Sequence, residues 1–137
     1  VVKKLLTFSI LALTLTGCAS LPFMGPPAAT APVTPVFFQP QSTTLDAPGL
    51  SAIASAAKAA NNAPTATVTV TGAADNSGAA AADLALSKAR AETVANALAQ
   101  DGVDASRITI HAIGSTSAPG DSNGAQAARR VLIEVAQ

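Results

Sequence analysis

The chain has no tryptophan and no tyrosine, and it carries one cysteine, one histidine and one methionine in 137 residues. A single cysteine excludes a disulfide framework and a cysteine-based zinc site. A single histidine, His111, leaves general acid–base chemistry without a second candidate base, and no Gly-x-Ser-x-Gly nucleophile elbow stands among the serines. His111 reads instead as a residue of an alternating strand. Charged residues make up only 12%, with 8 basic against 8 acidic, so there is no basic excess to neutralise phosphates along a nucleic acid. Asp101, Asp104 and Asp121 read as turn and helix-end residues and not as a metal cluster, and the segment Gly72 to Gly78 lacks the lysine of a phosphate-binding loop. No metal or cofactor is expected, and the inventory does not suit an enzyme. Aromatic rings amount to four phenylalanines, and much of the 49% hydrophobic fraction is alanine. The core must therefore be built from Val, Ile and Leu packed among small residues, in one domain of ordinary size.

The first residues do carry a pattern. Lys3 and Lys4 precede an apolar run from Leu5 to Leu15, too short for a bilayer span of roughly 20 residues. Two lysines, a short apolar stretch and small residues describe a secretory signal peptide, expected at residues 1–17. Its ending, Leu15-Thr16-Gly17-Cys18, resembles the bacterial lipobox, which implies cleavage before Cys18 and acylation of that residue. Several acyl chains on one residue anchor stably, where one chain binds only marginally. Ala19 and Ser20 follow without an aspartate, which by the same resemblance implies an outer-membrane destination. From Cys18 to Pro35 runs an uncharged segment with five prolines, an expected tether in an extended conformation.

From residue 36 to residue 137 the chain reads as one folded domain. Val36 to Phe38 predicts a short strand ended by Gln39-Pro40. Leu50, Ile53, Ala54, Ala57 and Ala60 predict a helix over Ala47 to Ala60. Strict alternation of apolar residues with threonine from Ala66 to Thr71 predicts a strand. Leu84, Ala91, Val94, Ala95 and Leu98 predict a second helix from Asp83, as its N-cap, to Gln100, with Gly102 just past the end. Arg107 to Ile113 alternates as a third strand with Ile108, Ile110 and Ala112 on one face; Gly114 to Ala128 reads as a loop, and Arg130 to Val135 as a last strand. The order βαβαββ predicts an α+β two-layer sandwich, with two helices packed on a small mixed sheet.

The segment from Val68 to Gly78, then Leu86-Ser87-Lys88-Ala89-Arg90-Ala91-Glu92-Thr93-Val94, then Arg129-Arg130-Val131 resembles the OmpA-like peptidoglycan-binding domain family. That family carries Gly-His-x-Asp-x-x-Gly, then Asn-x-x-Leu-Ser-x-x-Arg-Ala-x-x-Val, then Asn-Arg-Arg-Val. The resemblance implies noncovalent binding to the diaminopimelate of a peptidoglycan stem peptide. Carried over by position, Asp75 would hold the ammonium of that zwitterion and Arg90 its carboxylate, with Arg129 lining the site and Asn76 and Asp83 supporting it. A planar guanidinium fork suits a carboxylate. Read without the resemblance, Asp75 and Arg90 are a structural ion pair near a helix terminus. Three positions depart from the pattern: Ala73 replaces His, Asp83 replaces Asn, and Ala128 replaces the Asn before the paired arginines. The resemblance thus implies a lipid-anchored outer-membrane protein that faces the periplasm and ties the membrane to the wall, with other envelope proteins as further partners. A degenerate domain serving in protein interaction without wall binding stands as the alternative.

Overall fold

The computed structural model describes residues 31–76, 78–116 and 126–137. The expected signal segment, Cys18, most of the tether and residues 117–125 of the expected last loop lie outside the described residues.

Alternating β-branched residues set the middle of the sheet. In β2 (Thr67–Ala74) Val68 and Val70 are fully buried, while Thr67, Thr69 and Thr71 face the other way. In β4 (Arg130–Ala136) Val131, Ile133 and Val135 are buried in the same rhythm, which puts Arg130, Leu132 and Glu134 on the opposite face. These two strands are antiparallel neighbours, with Val70 opposite Ile133. On their flanks lie β1 (Val33–Phe37), antiparallel to β4, and β3 (Ile108–Ser115), parallel to β2, giving the order β1-β4-β2-β3. A parallel pair requires a crossover, and α2 (Ala80–Gln100) supplies it. Both α1 (Ala47–Asn62) and α2 bury their inner residues against the face carrying Val36, Val68, Val70, Val131 and Ile133. The architecture is the expected α+β two-layer sandwich on a mixed sheet.

Small residues fix how closely the layers approach. Ala56, Ala57 and Ala60 of α1 and Ala91 of α2 are buried in the core beside Ile53, Val94 and Leu98. A β-carbon on Gly72 would collide with the carbonyl oxygen of Ser87 and stand 3.0 Å from Ala91 Cβ. Glycine at this point lets α2 cross β2 at backbone distance.

Local chemistry accounts for the helix ends. Asp46 accepts from Gly49 N at 2.8 Å as the N-cap of α1, and Pro48 occupies the first turn, where no amide donor is missed. The far end of α1 is closed by Arg107, in a 3₁₀ turn (Ala105–Arg107) before β3. Its guanidinium donates to the carbonyls of Ala60 at 2.8 Å, Ala63 at 2.7 Å and Ala66 at 2.8 Å.

Several boundaries differ from expectation. β1 starts at Val33, inside the segment read as tether, because an edge strand tolerates Pro35, whose missing donor costs no ladder bond in the interior of the sheet. Phe37 is exposed and Phe38 buried. Arg107 precedes β3 instead of opening it. α2 begins at Ala80, and Ala79 stands at its N-cap position without a side-chain bond, so Asp83 is not the cap. The alanines from Ala79 to Ala82 extend the helix upstream, since alanine has the highest helix propensity. Leu50, Leu84 and Ile110 are half exposed, at 51%, 49% and 41%, although each falls on a stripe expected to be buried. Ile110 is open because β3 is the sheet edge.

Candidate functional site

The C-terminal end of β2, the start of α2 and the entry to β4 converge at one end of the sheet. Asp75 follows the last residue of β2, and Arg129 immediately precedes β4. Their side chains meet, with Arg129 Nη1 donating to Asp75 Oδ2 at 3.3 Å. Both are largely covered, at 17% and 14% side-chain exposure, so this pair is less screened than a surface ion pair. The main chain also ties the region together: Phe38 N donates to Arg129 O at 2.9 Å, and Thr116 N donates to Ala74 O at 3.2 Å.

Arg90 lies deeper than Asp75 and Arg129. It is fully buried in the third turn of α2, and the guanidinium serves the main chain. Nε donates to Ser42 O at 2.9 Å, Nη1 to Ala73 O at 3.2 Å and Nη2 to Gln39 O at 3.0 Å. Three of its five N–H donors are thereby committed. The ring of Phe38 lies against the cation, 5.3 Å from guanidinium carbon to ring centroid. Burial pulls the Arg90 pKa below its ordinary value, the Asp75 carboxylate acts against that, and the like charge of Arg129 adds to the lowering. A guanidinium nonetheless keeps its proton throughout the physiological range. Asp75 is therefore electrostatically coupled to two arginines, touching Arg129 directly.

Asp83 is 2% exposed on the inward stripe of α2 with Ser87 and Arg90. Ser87 Oγ donates to Leu84 O at 2.8 Å and accepts from Gly114 N at 3.0 Å, which joins the helix to β3. Asn76 is exposed in the loop after Asp75. Ala73 and Ala128, two of the three departures from the motif, are both buried. A groove of about 390 Å³ lies elsewhere, lined by Pro35, Phe37, Asp46, Pro48 and Gln126, and none of the expected site residues borders it. Among the described residues, no group of three or more His, Cys, Asp or Glu is placed to hold a metal ion.

The structure thus brings Asp75 and Arg129 into contact, sets Arg90 behind them and buries Asp83 on the stripe that Arg90 shares. The carbonyls of Gln39 and Ser42 were not singled out in the sequence. A signal for Arg90 was present: it stands four residues before Val94 and eight before Leu98, on the buried stripe.

The OmpA family matches the chain over residues 37–131. No curated protein matches it. Among solved structures, the chain is similar to the peptidoglycan-associated lipoprotein from Burkholderia pseudomallei, with a TM-score of 0.70 at 24% identity, covering 74% of this chain and 89% of that one. The OmpA-like domain of FopA1 from Francisella tularensis gives a TM-score of 0.67 at 25% identity over 75% of this chain and 73% of that one. The periplasmic domain of Helicobacter pylori MotB gives 0.66 at 19% identity over 80% and 78%.

Proposed function

This chain belongs to the OmpA family, and from that membership we propose that its domain binds peptidoglycan noncovalently through the diaminopimelate of the stem peptide. In this reading Asp75 receives the ligand ammonium and the guanidinium groups of Arg129 and Arg90 attract its carboxylate. Arg90 contributes through the N–H groups not committed to the main chain and by fixing the loop after β1. Asn76 and Asp83 flank the pocket. The observation that carries the proposal is the Asp75–Arg129 pair at the end of β2, one acid and one guanidinium held 3.3 Å apart and mostly covered. Separating them around a zwitterion replaces one charge-assisted contact with two.

The same reading makes the chain a lipoprotein. Residues 1–17 act as an export signal, Cys18 carries the acyl groups, and the proline-rich segment holds the domain off the outer membrane on its periplasmic side. The molecule then links membrane and wall and catalyses no reaction.

Sedimentation of the protein with purified sacculi tests wall binding: cosedimentation is expected, and its loss on Asp75→Ala identifies the route. Intact mass spectrometry of the membrane-extracted protein tests the anchor, with an acylated Cys18 at the amino terminus expected. A free Cys18 thiol removes the anchor from the reading. The burial of Arg90 favours a second reading, in which the domain keeps the fold for protein interaction in the envelope without gripping the wall. A folded protein that stays in the supernatant with sacculi selects it.

A further inference from the structure

Both helices pack on one face of the sheet, the face toward which β4 turns Val131, Ile133 and Val135. The other face is left open by them. Along β4 it reads Arg130, Leu132, Glu134: a cation, an apolar side chain and an anion. Alternation places Val33 and Phe37 of β1 and Ile113 of β3 on the same face. These three are exposed at 49%, 42% and 53%, half of the six large hydrophobic side chains that stay exposed among the described residues. The register sets Phe37 beside Arg130, Val33 beside Glu134, and Leu132 between Pro35 and Thr71. About 13 Å of strand separates Arg130 from Glu134, too far for them to pair with each other. Neither enters an ion pair among the described residues.

The order cation, apolar, anion is complementary to its own reverse. We propose that this open face is an interface between two copies of the chain, stacked sheet on sheet about a two-fold axis that crosses the strands at Leu132. The strands of the two copies then run antiparallel. Arg130 meets Glu134 of the partner subunit, Leu132 meets Leu132 of the partner subunit, and Phe37 covers Val33 of the partner subunit. Parallel stacking would set arginine on arginine and glutamate on glutamate, a juxtaposition that costs several kcal/mol. Packed sheets stand about 10 Å apart with their strands within about 30° of each other, a gap that an arginine and a glutamate bridge from opposite sides. Four strands with about six residues each give a footprint near 400 Å² a side before side-chain relief is counted, which approaches the low end for specific interfaces, about 600 Å² a side. An axis across the strands also keeps both β1 edges, where the chains enter at Val33, on the same side of the dimer. Two chains tethered to one surface can therefore pair without either being turned over. The dimer stands whether or not the domain binds the wall.

The test is sedimentation velocity of the full chain under reducing conditions. A reversible monomer–dimer equilibrium with a micromolar dissociation constant is expected, the range of a small interface. Glu134→Arg sets arginine against arginine at both ends and should weaken the dimer about tenfold or more, as should Arg130→Glu through its paired acids. Mixing the two variants restores opposite charges at both contacts, so their heterodimer should return to within about threefold of the unmodified affinity. A dimer indifferent to Glu134→Arg overturns the inference, as does a mixture that associates no more tightly than either variant alone. A chain that stays monomeric at about 1 mM also overturns it; if Leu132→Ser then abolishes cosedimentation with sacculi, the face belongs to the wall. Circular dichroism checks that each variant is folded. Glu134 is exposed, and should Arg130→Glu not fold, the response to Glu134→Arg decides alone.

Discussion

Arg90 reaches back 48 residues to donate its Nε–H to the carbonyl of Ser42, at 2.9 Å. With Gln39 O and Ala73 O on its other nitrogens, one side chain clasps the loop after β1 to the end of β2. The buried carbonyl of Ala73 and the part-covered carbonyls of Ser42 and Gln39 all receive their donors from a single cation.

Arg90→Ala should therefore damage folding as well as recognition. Hydrogen bonds to a charged group contribute about 1.5–3 kcal/mol each in favourable cases, and the buried Ala73 carbonyl would lose its donor together with the part-covered carbonyls of Ser42 and Gln39. A loss of about 3 kcal/mol or more is expected in urea denaturation. Arg90→Lys should recover only part of it, because an ammonium cannot present the planar fork. A stable, fully folded Arg90→Ala protein would show that water satisfies these carbonyls and that the clasp is dispensable.

Asp75→Ala and Arg129→Ala should separate recognition from folding. Among the described residues Arg129 holds no main-chain carbonyl, whereas Arg90 holds three, and Arg129 Nη1 meets Asp75 Oδ2 at 3.3 Å. Truncating one partner of a charge pair with a ligand costs roughly 2 to 5 kcal/mol of binding. Cosedimentation with sacculi should vanish while circular dichroism reports an intact domain.

Gly72→Ala should be among the most harmful small substitutions in the chain. The added β-carbon meets the Ser87 carbonyl oxygen, which belongs to the helix backbone and cannot swing aside. Overpacking of this kind costs about 1–3 kcal/mol or more, to be read as a lowered melting temperature.

Asp104 gives a pH prediction. Its carboxylate accepts from Ser106, first through the backbone N–H and then through the side chain, and these bonds hold its pKa below the ordinary 3.8. A depressed acid stabilises the folded state above the unfolded pKa, and that contribution is lost as pH falls through the folded value. Carbonyl chemical shifts should show Asp104 titrating below Asp in an unfolded peptide, and Ser106→Pro should shrink the difference, leaving the smaller effect of the Arg107 charge.

Most of the fold could be read from patterns of two kinds. Thr67 to Thr71 and Val131 to Val135 alternate cleanly because one sheet face is covered and the other is not. Ile53, Ala57 and Ala60 repeat at helical spacing because α1 buries one narrow stripe. The start of α2 was not legible, since a run of alanines carries no contrast between faces. Exposure of Ile110 was hidden for a different reason: periodicity reports a face, and only topology reports which strand is the edge. At the candidate site, the motif pointed to Asp75, Arg90 and Arg129 by position. It did not reveal which arginine touches Asp75, because that depends on where two carbonyl-bearing loops close in three dimensions. Arg107 was passed over as a strand residue for the same reason.

The register of β1 decides how the domain would carry tension. Val33 lies opposite Glu134, and Phe37 lies opposite Arg130, beside Arg129. The chain thus enters at the end of the sheet away from the Asp75–Arg129 pair, with roughly 13 Å of strand between them. If the membrane pulls on the residues before Val33 while the wall pulls at Asp75, the force runs along β1. Its hydrogen bonds to β4 cross the strand at right angles, so they are sheared together and share the load. A chain entering beside the ligand would instead peel the same bonds open one at a time. Val36, buried in the core at the far end of this strand, would have to be dragged through packed side chains before the ladder could slip.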